Sequence, residues 1–349
     1  YPQIPGLDSF AGDSFHSARW DHSVDLIGKR VAIIGTGSTA CQIVGAIAKD
    51  VAHLDVYQRT PHWLAPLQQV RYSSGWQYLL RTFPALQRGI RNLLRKHVES
   101  SFGEATLGNV KQQRAVEKYC LKHLKKQIPD ADLRARLTPD YRATCKRLIL
   151  CSEYYPALMR DNVELVTQGI AAIEPEGVRT TDGELGKVDV LVLATGFAAG
   201  DFILPCEVYG DKGLSLRQFW DGLPRAHRAM AFPGFPNFMM LEGPTGVIGN
   251  TSLIDISEHQ IGYLIDHLNK MRDDKLAAIV TRQEAYDDYN EKMATAIGTS
   301  TWATGGCDSW YLDKSGKPNI YPWLPDVYRH DMKNVDFSEY HLMEEVPEQ

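Results

Sequence analysis

Residues 31–40 read VAIIGTGSTA and carry the spacing Gly35-x-Gly37-x-x-Ala40. An apolar run stops at Gly35, which permits a tight turn. Gly37 has no side chain to obstruct a pyrophosphate, and Ala40 lets a following helix lie close to the strand. The first turn of that helix would offer N–H groups and partial positive charge to phosphates. Gly35, Thr36, Gly37, Ser38, Thr39, Ala40 and Gln42 are therefore the candidate nucleotide-binding residues. A bare G-x-G-x-x-A also fits an ordinary strand–helix turn; a strand before it and a helix and second strand after it are what favour a dinucleotide site.

The end of the second strand selects the nucleotide. NAD enzymes usually place a carboxylate there to hold the ribose 2′-hydroxyl. Here Asp55 falls inside the expected strand, 53–57, and the tip reads Gln58-Arg59-Thr60-Pro61. A guanidinium fork at Arg59 and a hydroxyl at Thr60 suit a 2′-phosphate, so NADP is expected rather than NAD. A second basic element, Lys146-Arg147, precedes the apolar stretch 148–151. Read alone it is a dibasic pair of the kind that water usually solvates.

These residues need a frame. Strand 31–34, helix 39–49 and strand 53–57 make a βαβ opening, which calls for a parallel sheet with crossover helices. Residues 1–28 are Pro/Gly-rich and read as loop. Residues 71–136 hold 14 Lys/Arg against 5 Asp/Glu, with apolar residues at helical spacing, and read as a helical insertion. Strand signals return in RLILC, VELVT and DVLVLATGF, the last ending at Thr195-Gly196. Residues 201–250 read as loops and short strands. A helix is expected over 251–272, with Ile254, Ile261, Leu264, Ile265 and Leu268 on one face, and another over 281–297. The acidic tail 337–349 is expected to fray.

Composition excludes several classes. The chain has 349 residues, 44% hydrophobic and 23% charged, with a net charge of −5. That balance gives no pull toward nucleic acid or anionic membrane. There is no 18-residue apolar run and no signal peptide, so a soluble, cytoplasmic protein is expected. Six cysteines (Cys41, Cys120, Cys145, Cys151, Cys206, Cys307) include no C-x-x-C pair. They are expected to be buried thiols in a reducing compartment, with neither a disulfide scaffold nor a metal site. The opening YPQIPGLDSF lacks an initiator Met and reads as the interior of a longer polypeptide.

Residues 10–21, FAGDSFHSARWD, fit the pattern F-x-G-x-x-x-H-x-x-x-W-[P/D] at Phe10, Gly12, His16, Trp20 and Asp21. This resembles the fingerprint of type I Baeyer–Villiger monooxygenases. The blocks QRTP (58–61), CKRLILCSEYYPAL (145–158), VLATGF (192–197), GFPNF (234–238) and WATGGCDSWY (302–311) follow in that family's order. The resemblance implies an α/β fold: a Rossmann-like NADP-binding domain over 29–197 with the insertion 71–136, flanked by parts of a discontinuous FAD-binding domain, 1–28 and 198–349. It implies FAD and NADP as cofactors, and a ketone (or sulfide) and O2 as substrates. One oxygen atom would enter beside the carbonyl through a C4a-peroxyflavin, giving an ester or lactone. Arg147 would be the catalytic cation, Lys146, Arg59 and Thr60 would meet the 2′-phosphate, and His16 would act in cofactor coupling. Trp302 and Trp310 would belong to a mobile segment near the substrate. The sequence departs from the family at Gly243-Pro244-Thr245-Gly246, where G-P-N-T-G is frequent. The family's first G-x-G-x-x-G, for FAD, has no counterpart here, so a separate or preceding flavin segment is expected. A non-catalytic NADP-binding module and an N- or S-oxygenating flavin monooxygenase stand as alternatives; Trp20-Asp21 favours ketone oxidation.

Overall fold

The computed structural model describes residues 1–67, 69–246, 249 and 251–344. The chain forms two compact units, Tyr1–Arg71 with Glu117–Asp140 and Leu148–Phe197, and Tyr72–Val116 with Tyr141–Arg147 and Ala198–Gln349. The insertion expected over 71–136 is helical, and its residues are divided between the two units.

The first unit is an α/β fold on a five-stranded sheet: β1 (Asp13–His16), β2 (Arg30–Ile34), β3 (His53–Tyr57), β6 (Val163–Val166) and β10 (Val190–Leu193). The order is β1-β10-β2-β3-β6 and every pairing is parallel. Helices α1 (Ser38–Ile47) and α7 (Tyr154–Leu158) lie on one face, where Val31, Ile33, Leu54 and Val56 pack with Ala40, Cys41 and Val44. The alternate residues Ala32, Ile34, Tyr57, Leu191 and Leu193 pack with Ile173 and Val178 on the other. Those two belong to an antiparallel sheet of β7 (Ile170–Glu174), β8 (Gly177–Thr180) and β9 (Leu185–Lys187). Burial on both faces explains the unbroken apolar runs of β2 and β10. Helix α6 (Ala131–Arg136) completes the unit.

Two expectations are corrected here. Residues 13–16, read as loop, form edge strand β1, which pairs with β10; four residues are too few to show a period of two. RLILC contributes only β5 (Ile149–Leu150), which pairs with β4 (Leu64–Ala65) in a separate two-stranded sheet.

The second unit contains α2 (Ser74–Thr82), α3 (Pro84–Val98), a π-helical segment Glu99–Gly103, α4 (Glu104–Thr106) and the first part of α5 (Val110–Gln127). After residue 198 come α8 (Leu216–Trp220), α9 (Leu253–Asp274), β11 (Leu276–Thr281), α10 (Gln283–Ala296), α11 (Thr301–Thr304), α12 (Pro325–Asp331) and β12 (Tyr340–Glu344). Helix α9 buries its mixed face and exposes its aliphatic one. Ile256, Gln260, Tyr263 and His267 are buried, while Ile254, Ile261, Ile265 and Leu268 are exposed. Most of the buried polar groups are paired, although His267 Nε2 has no partner among the described residues. Gln260 accepts from Glu242 N–H at 2.8 Å and donates to the Tyr328 hydroxyl at 2.8 Å, and the Tyr263 and Tyr340 hydroxyls meet at 2.9 Å. These bonds lower the cost of burying Gln260 and Tyr263 on the mixed face.

The tail is the third correction. Residues 340–344 pair antiparallel with β11, and Tyr340 is buried. Residues 345–349, also expected to fray, lie outside the described residues. Among the described residues no helix is long and apolar enough to cross a membrane.

Candidate functional site

Strands β2, β3 and β6 are laid down outward in one direction, and the chain then returns to place β10 on the other side of β2, between it and the earlier strand β1. Such a reversal opens a crevice at the carboxyl ends of the strands, where doubly wound sheets bind ligands. Gly35 follows β2 there with φ +112, and a Cβ on it would lie 2.4 Å from the Ala194 carbonyl oxygen beyond β10. Only glycine fits that position. Gly37 is different: among the described residues a Cβ on it would meet nothing within 4 Å.

Gly37 caps α1 without any side-chain hydrogen bond. Ser38, Thr39 and Gln42 are exposed at it, and Ala40 is fully buried against the sheet. The Thr36 hydroxyl donates to the Thr60 carbonyl at 3.1 Å, tying the loop to the tip of β3. Gln58 is buried and donates to the Arg136 carbonyl at 2.8 Å, which fixes the tip further and leaves Arg59 projecting as an exposed cation.

Of the fingerprint residues, His16 ends β1 at the same carboxyl edge, whereas Phe10 and Gly12 precede the strand at its opposite end. A Cβ on Gly12 would lie 2.3 Å from the Asp189 carbonyl oxygen, so glycine is needed to seat β1 beside β10. Phe10 packs against the sheet's second core, and Trp20 meets Phe15 edge-on at 4.9 Å. Asp21 accepts from the Ser23 N–H at 2.9 Å and from its hydroxyl at 2.6 Å, ending the motif in a tight turn. His16 is buried at the tip of β1. Its Nδ1 accepts from Ala18 N–H at 3.1 Å, and its Nε2 lies 3.1 Å from the carbonyl of exposed Gly196. A nitrogen that accepts carries no proton, so the proton sits on Nε2 and is donated to Gly196. Thr195 and Gly196 lie just past β10, so Gly35, Gly37, His16, Thr195, Gly196, Arg59 and Thr60 all end at one edge of one sheet.

Lys146 and Arg147 belong to the second unit. Lys146 Nζ lies 5.2 Å over the Tyr141 ring, and Arg147 is exposed. Thr144, two residues before Lys146, has φ 71, an uncommon conformation for a β-branched residue. Its hydroxyl bonds the Ala105 carbonyl at 3.2 Å, which holds the turn. Burial pushes the Tyr311 hydroxyl up to about 12, and the charge of Arg147 acts against that rise. Arg147 is therefore within electrostatic reach of the 301–311 segment.

Within that segment the two tryptophans differ. Trp302 is buried in a cluster with Ile297, Tyr311 and Ile320, and its Nε1–H has no acceptor among the described residues. Trp310 is half exposed and lies 4.3 Å from the Tyr311 ring. The expectation of free thiols fails at one pair: Cys145 and Cys307 form a disulfide across 162 residues of sequence. No local spacing signals it, because only the tertiary fold brings the two together. Cys41, Cys120 and Cys151 are buried thiols as expected, and Cys206 is an exposed one.

Gly243 of the departing G-P-T-G loop is fixed by the Ala229 carbonyl, 2.6 Å from where its Cβ would stand. His53, Asp55 and Glu164 place potential metal-ligand atoms within 4.8 Å of one another, with His53 and Asp55 paired at 2.9 Å. A cavity of about 510 Å³ in the second unit is lined by Arg228, Tyr289, Glu339 and their neighbours, and by none of the candidate residues. Beside it Glu339 accepts from buried His227 at 3.0 Å and from Arg228 at 2.8 Å.

Comparison with known proteins agrees with this geometry. The family described as flavin-binding monooxygenase-like matches residues 2–205. An uncharacterised monooxygenase of Mycobacterium tuberculosis is 39% identical over 98% of this chain and 68% of its own length. A Baeyer–Villiger monooxygenase of Streptomyces coelicolor is 38% identical over 100% of this chain and 67% of its own. The solved structure of a steroid monooxygenase bound to NADP superposes with a TM-score of 0.86 at 26% identity, over 99% of this chain and 72% of that one. The chain thus spans about two thirds of the relatives it matches, and it belongs to the flavin-binding monooxygenase-like family, among its members of the Baeyer–Villiger type.

Proposed function

We propose that the protein is an NADPH- and FAD-dependent monooxygenase that inserts one atom of O2 beside a ketone carbonyl to give an ester or lactone. The observation that carries this reading is the crevice of the first unit. There a bare glycine and an uncapped helix N-terminus face the fingerprint histidine across the reversal of strand order.

The residues present fit a 2′-phosphorylated dinucleotide. Gly35 makes the turn, the space in front of Gly37 admits the pyrophosphate, and the N–H groups at the start of α1 bind it. Arg59 and Thr60 hold the 2′-phosphate. His16 fixes the β1 and β10 tips, so that Thr195 and Gly196 meet the nucleotide in one conformation. Bound FAD supplies the two-electron chemistry that activates O2 with reducing equivalents from NADPH. Residues 198–349 contribute the flavin domain's C-terminal part. The Arg147 guanidinium stabilises negative charge where the oxygen is transferred. Trp302 and Trp310 belong to the segment that borders the ketone.

The test supplies the purified chain with FAD, NADPH, a cyclic ketone and ¹⁸O2. A lactone carrying one labelled atom is expected. Arg147→Ala should still allow flavin reduction while ester formation is lost; a normal ester yield would remove Arg147 from its role. A colourless chain that binds NADPH and never flavin would support a nucleotide-binding module. Oxygenation of sulfides or amines with ketones untouched would support the N- or S-oxygenating class.

A further inference from the structure

The loop that ends in Lys146-Arg147 is joined to the 301–311 segment by more than packing. Arg142 N–H donates to the Gly305 carbonyl at 3.0 Å. The Thr144 and Thr301 hydroxyls share one acceptor, the Ala105 carbonyl, at 3.2 and 2.6 Å. Gln113 bridges the two sides, donating to the Thr301 hydroxyl at 3.0 Å and accepting from Arg142 at 2.9 Å. All of these contacts lie at or before residue 305. Beyond it the covalent link is Cys145–Cys307. Gly305 is fitted to that link: a Cβ there would stand 2.7 Å from Cys145 Sγ and 2.5 Å from the Thr301 carbonyl oxygen. Cys145 is fully buried, whereas Cys307 is half-buried at the surface.

We propose that Cys145 and Cys307 form a thiol–disulfide modification site whose oxidised state clamps residues 305–311 onto the Arg147 loop, and whose co-reactant is a small or protein dithiol. Cys307 is the less buried of the two, and this decides the chemistry. A dithiol thiolate attacks Cys307 Sγ, and the Cys145–Cys307 bond breaks with Cys145 leaving as thiolate. The second thiol of the dithiol then displaces Cys307. The protein bond is reduced to two thiols, which take the two protons of the dithiol, and the dithiol is oxidised to its disulfide. The reverse exchange restores the clamp. A single such bond in a chain otherwise holding free thiols matches the pattern of redox-sensing links, not that of multiply stapled scaffolds.

The consequence for chemistry rests on the proposed oxygenation. Tyr311, which senses the Arg147 charge, and Trp310 follow Cys307 by four and three residues, so the clamp sets where Arg147 stands relative to them. Cys145 and Cys307 are positioning residues in this scheme.

The experiment uses the full chain. Peptide mapping without reductant should recover Cys145 and Cys307 in one linked peptide pair. Hydrogen exchange of amides 305–311 should then rise by about tenfold or more when dithiothreitol is added. Cys307→Ser should show the raised exchange with or without dithiothreitol, and Cys206→Ser should respond like the parent. In flavin-loaded enzyme, reduction and Cys307→Ser should keep NADPH consumption, divert it to hydrogen peroxide and raise KM for the ketone. Absence of the linked pair, or exchange that ignores dithiothreitol, overturns the clamp whatever the activity. If mapping and exchange respond but no ketone is oxygenated, the clamp stands and the proposed reaction falls.

Discussion

His16 and Gly196 are joined at 3.1 Å across 180 residues of sequence, the ring Nε2–H donating to the carbonyl while Nδ1 accepts from Ala18. The imidazole is thereby a neutral brace between two strand tips. His16→Ala removes both bonds from a buried site. It should cost about 1–3 kcal/mol of stability and weaken NADP binding, read by urea unfolding and by titration with the nucleotide. Unchanged nucleotide affinity would confine His16 to a structural part.

The two nucleotide-loop glycines separate fold from function. Gly35→Ala forces a Cβ to 2.4 Å from a backbone oxygen at φ +112, and should lower the melting temperature sharply. Gly37→Ala meets nothing within 4 Å among the described residues and loses only some N-cap preference, so its melting temperature should fall far less than that of Gly35→Ala. Its NADPH affinity should nonetheless fall by roughly tenfold or more, because the methyl enters the space meant for pyrophosphate. Equal affinity in Gly37→Ala and the parent would dismiss the loop as a phosphate site.

Arg59 is exposed beyond β3 and bears on cofactor choice. Losing one charge-assisted contact to a phosphate costs about 1.5–3 kcal/mol. Arg59→Ala should therefore raise the NADPH Kd by roughly 10- to 100-fold while leaving NADH binding almost unchanged. Parallel fluorescence titrations measure the ratio; equal losses for both nucleotides would rule out 2′-phosphate recognition.

Acid should destabilise the second unit in two stages. Burial pushes His227 below its ordinary 6.5 despite its bond to Glu339. Burial alone would raise Glu339, but the hydrogen bond from His227 and the charge of Arg228 prevail and hold it at about 2, against an ordinary 4.5. Both groups bind protons less readily folded than unfolded, so stability is greatest above pH 6.5 and falls as pH drops. The Glu339 part falls between 4.5 and about 2 and amounts to on the order of 2–3 kcal/mol. Glu339→Gln should flatten that lower limb and, by leaving Arg228 buried without its carboxylate, cost about 3–5 kcal/mol at neutral pH. Chemical unfolding from pH 2.5 to 8 follows both effects.

The sequence made the nucleotide half readable because its requirements are local. The turn at Gly35, the bare Gly37 and the buried Ala40 lie within six residues, and the βαβ frame has strong periodicity. The fingerprint spacing located His16, but not that residues 13–16 form a strand, since edge pairing with β10 depends on residues 177 positions away. Helix α9 shows a different limit. Its period located the helix, yet the buried face is the one with Gln260, Tyr263 and His267, chosen by partners at 242, 328 and 340. The Cys145–Cys307 link and the Tyr311–Arg147 interaction were hidden for the same reason: both join segments more than 150 residues apart.

The pairing of β11 with β12 and the grip of Glu339 on His227 and Arg228 also bear on how the protein is made. A ribosome releases the sequence in order, and residue 228 emerges over a hundred residues before its carboxylate partner. Until then two basic side chains and the unpaired edge of β11 must wait, accessible to chaperones or to another nascent chain. The first unit, whose last strand ends at Leu193, has all its pieces much earlier. Synthesis thus passes through a stage in which the nucleotide fold is finished and the segment after it is a long, sticky, half-built appendage.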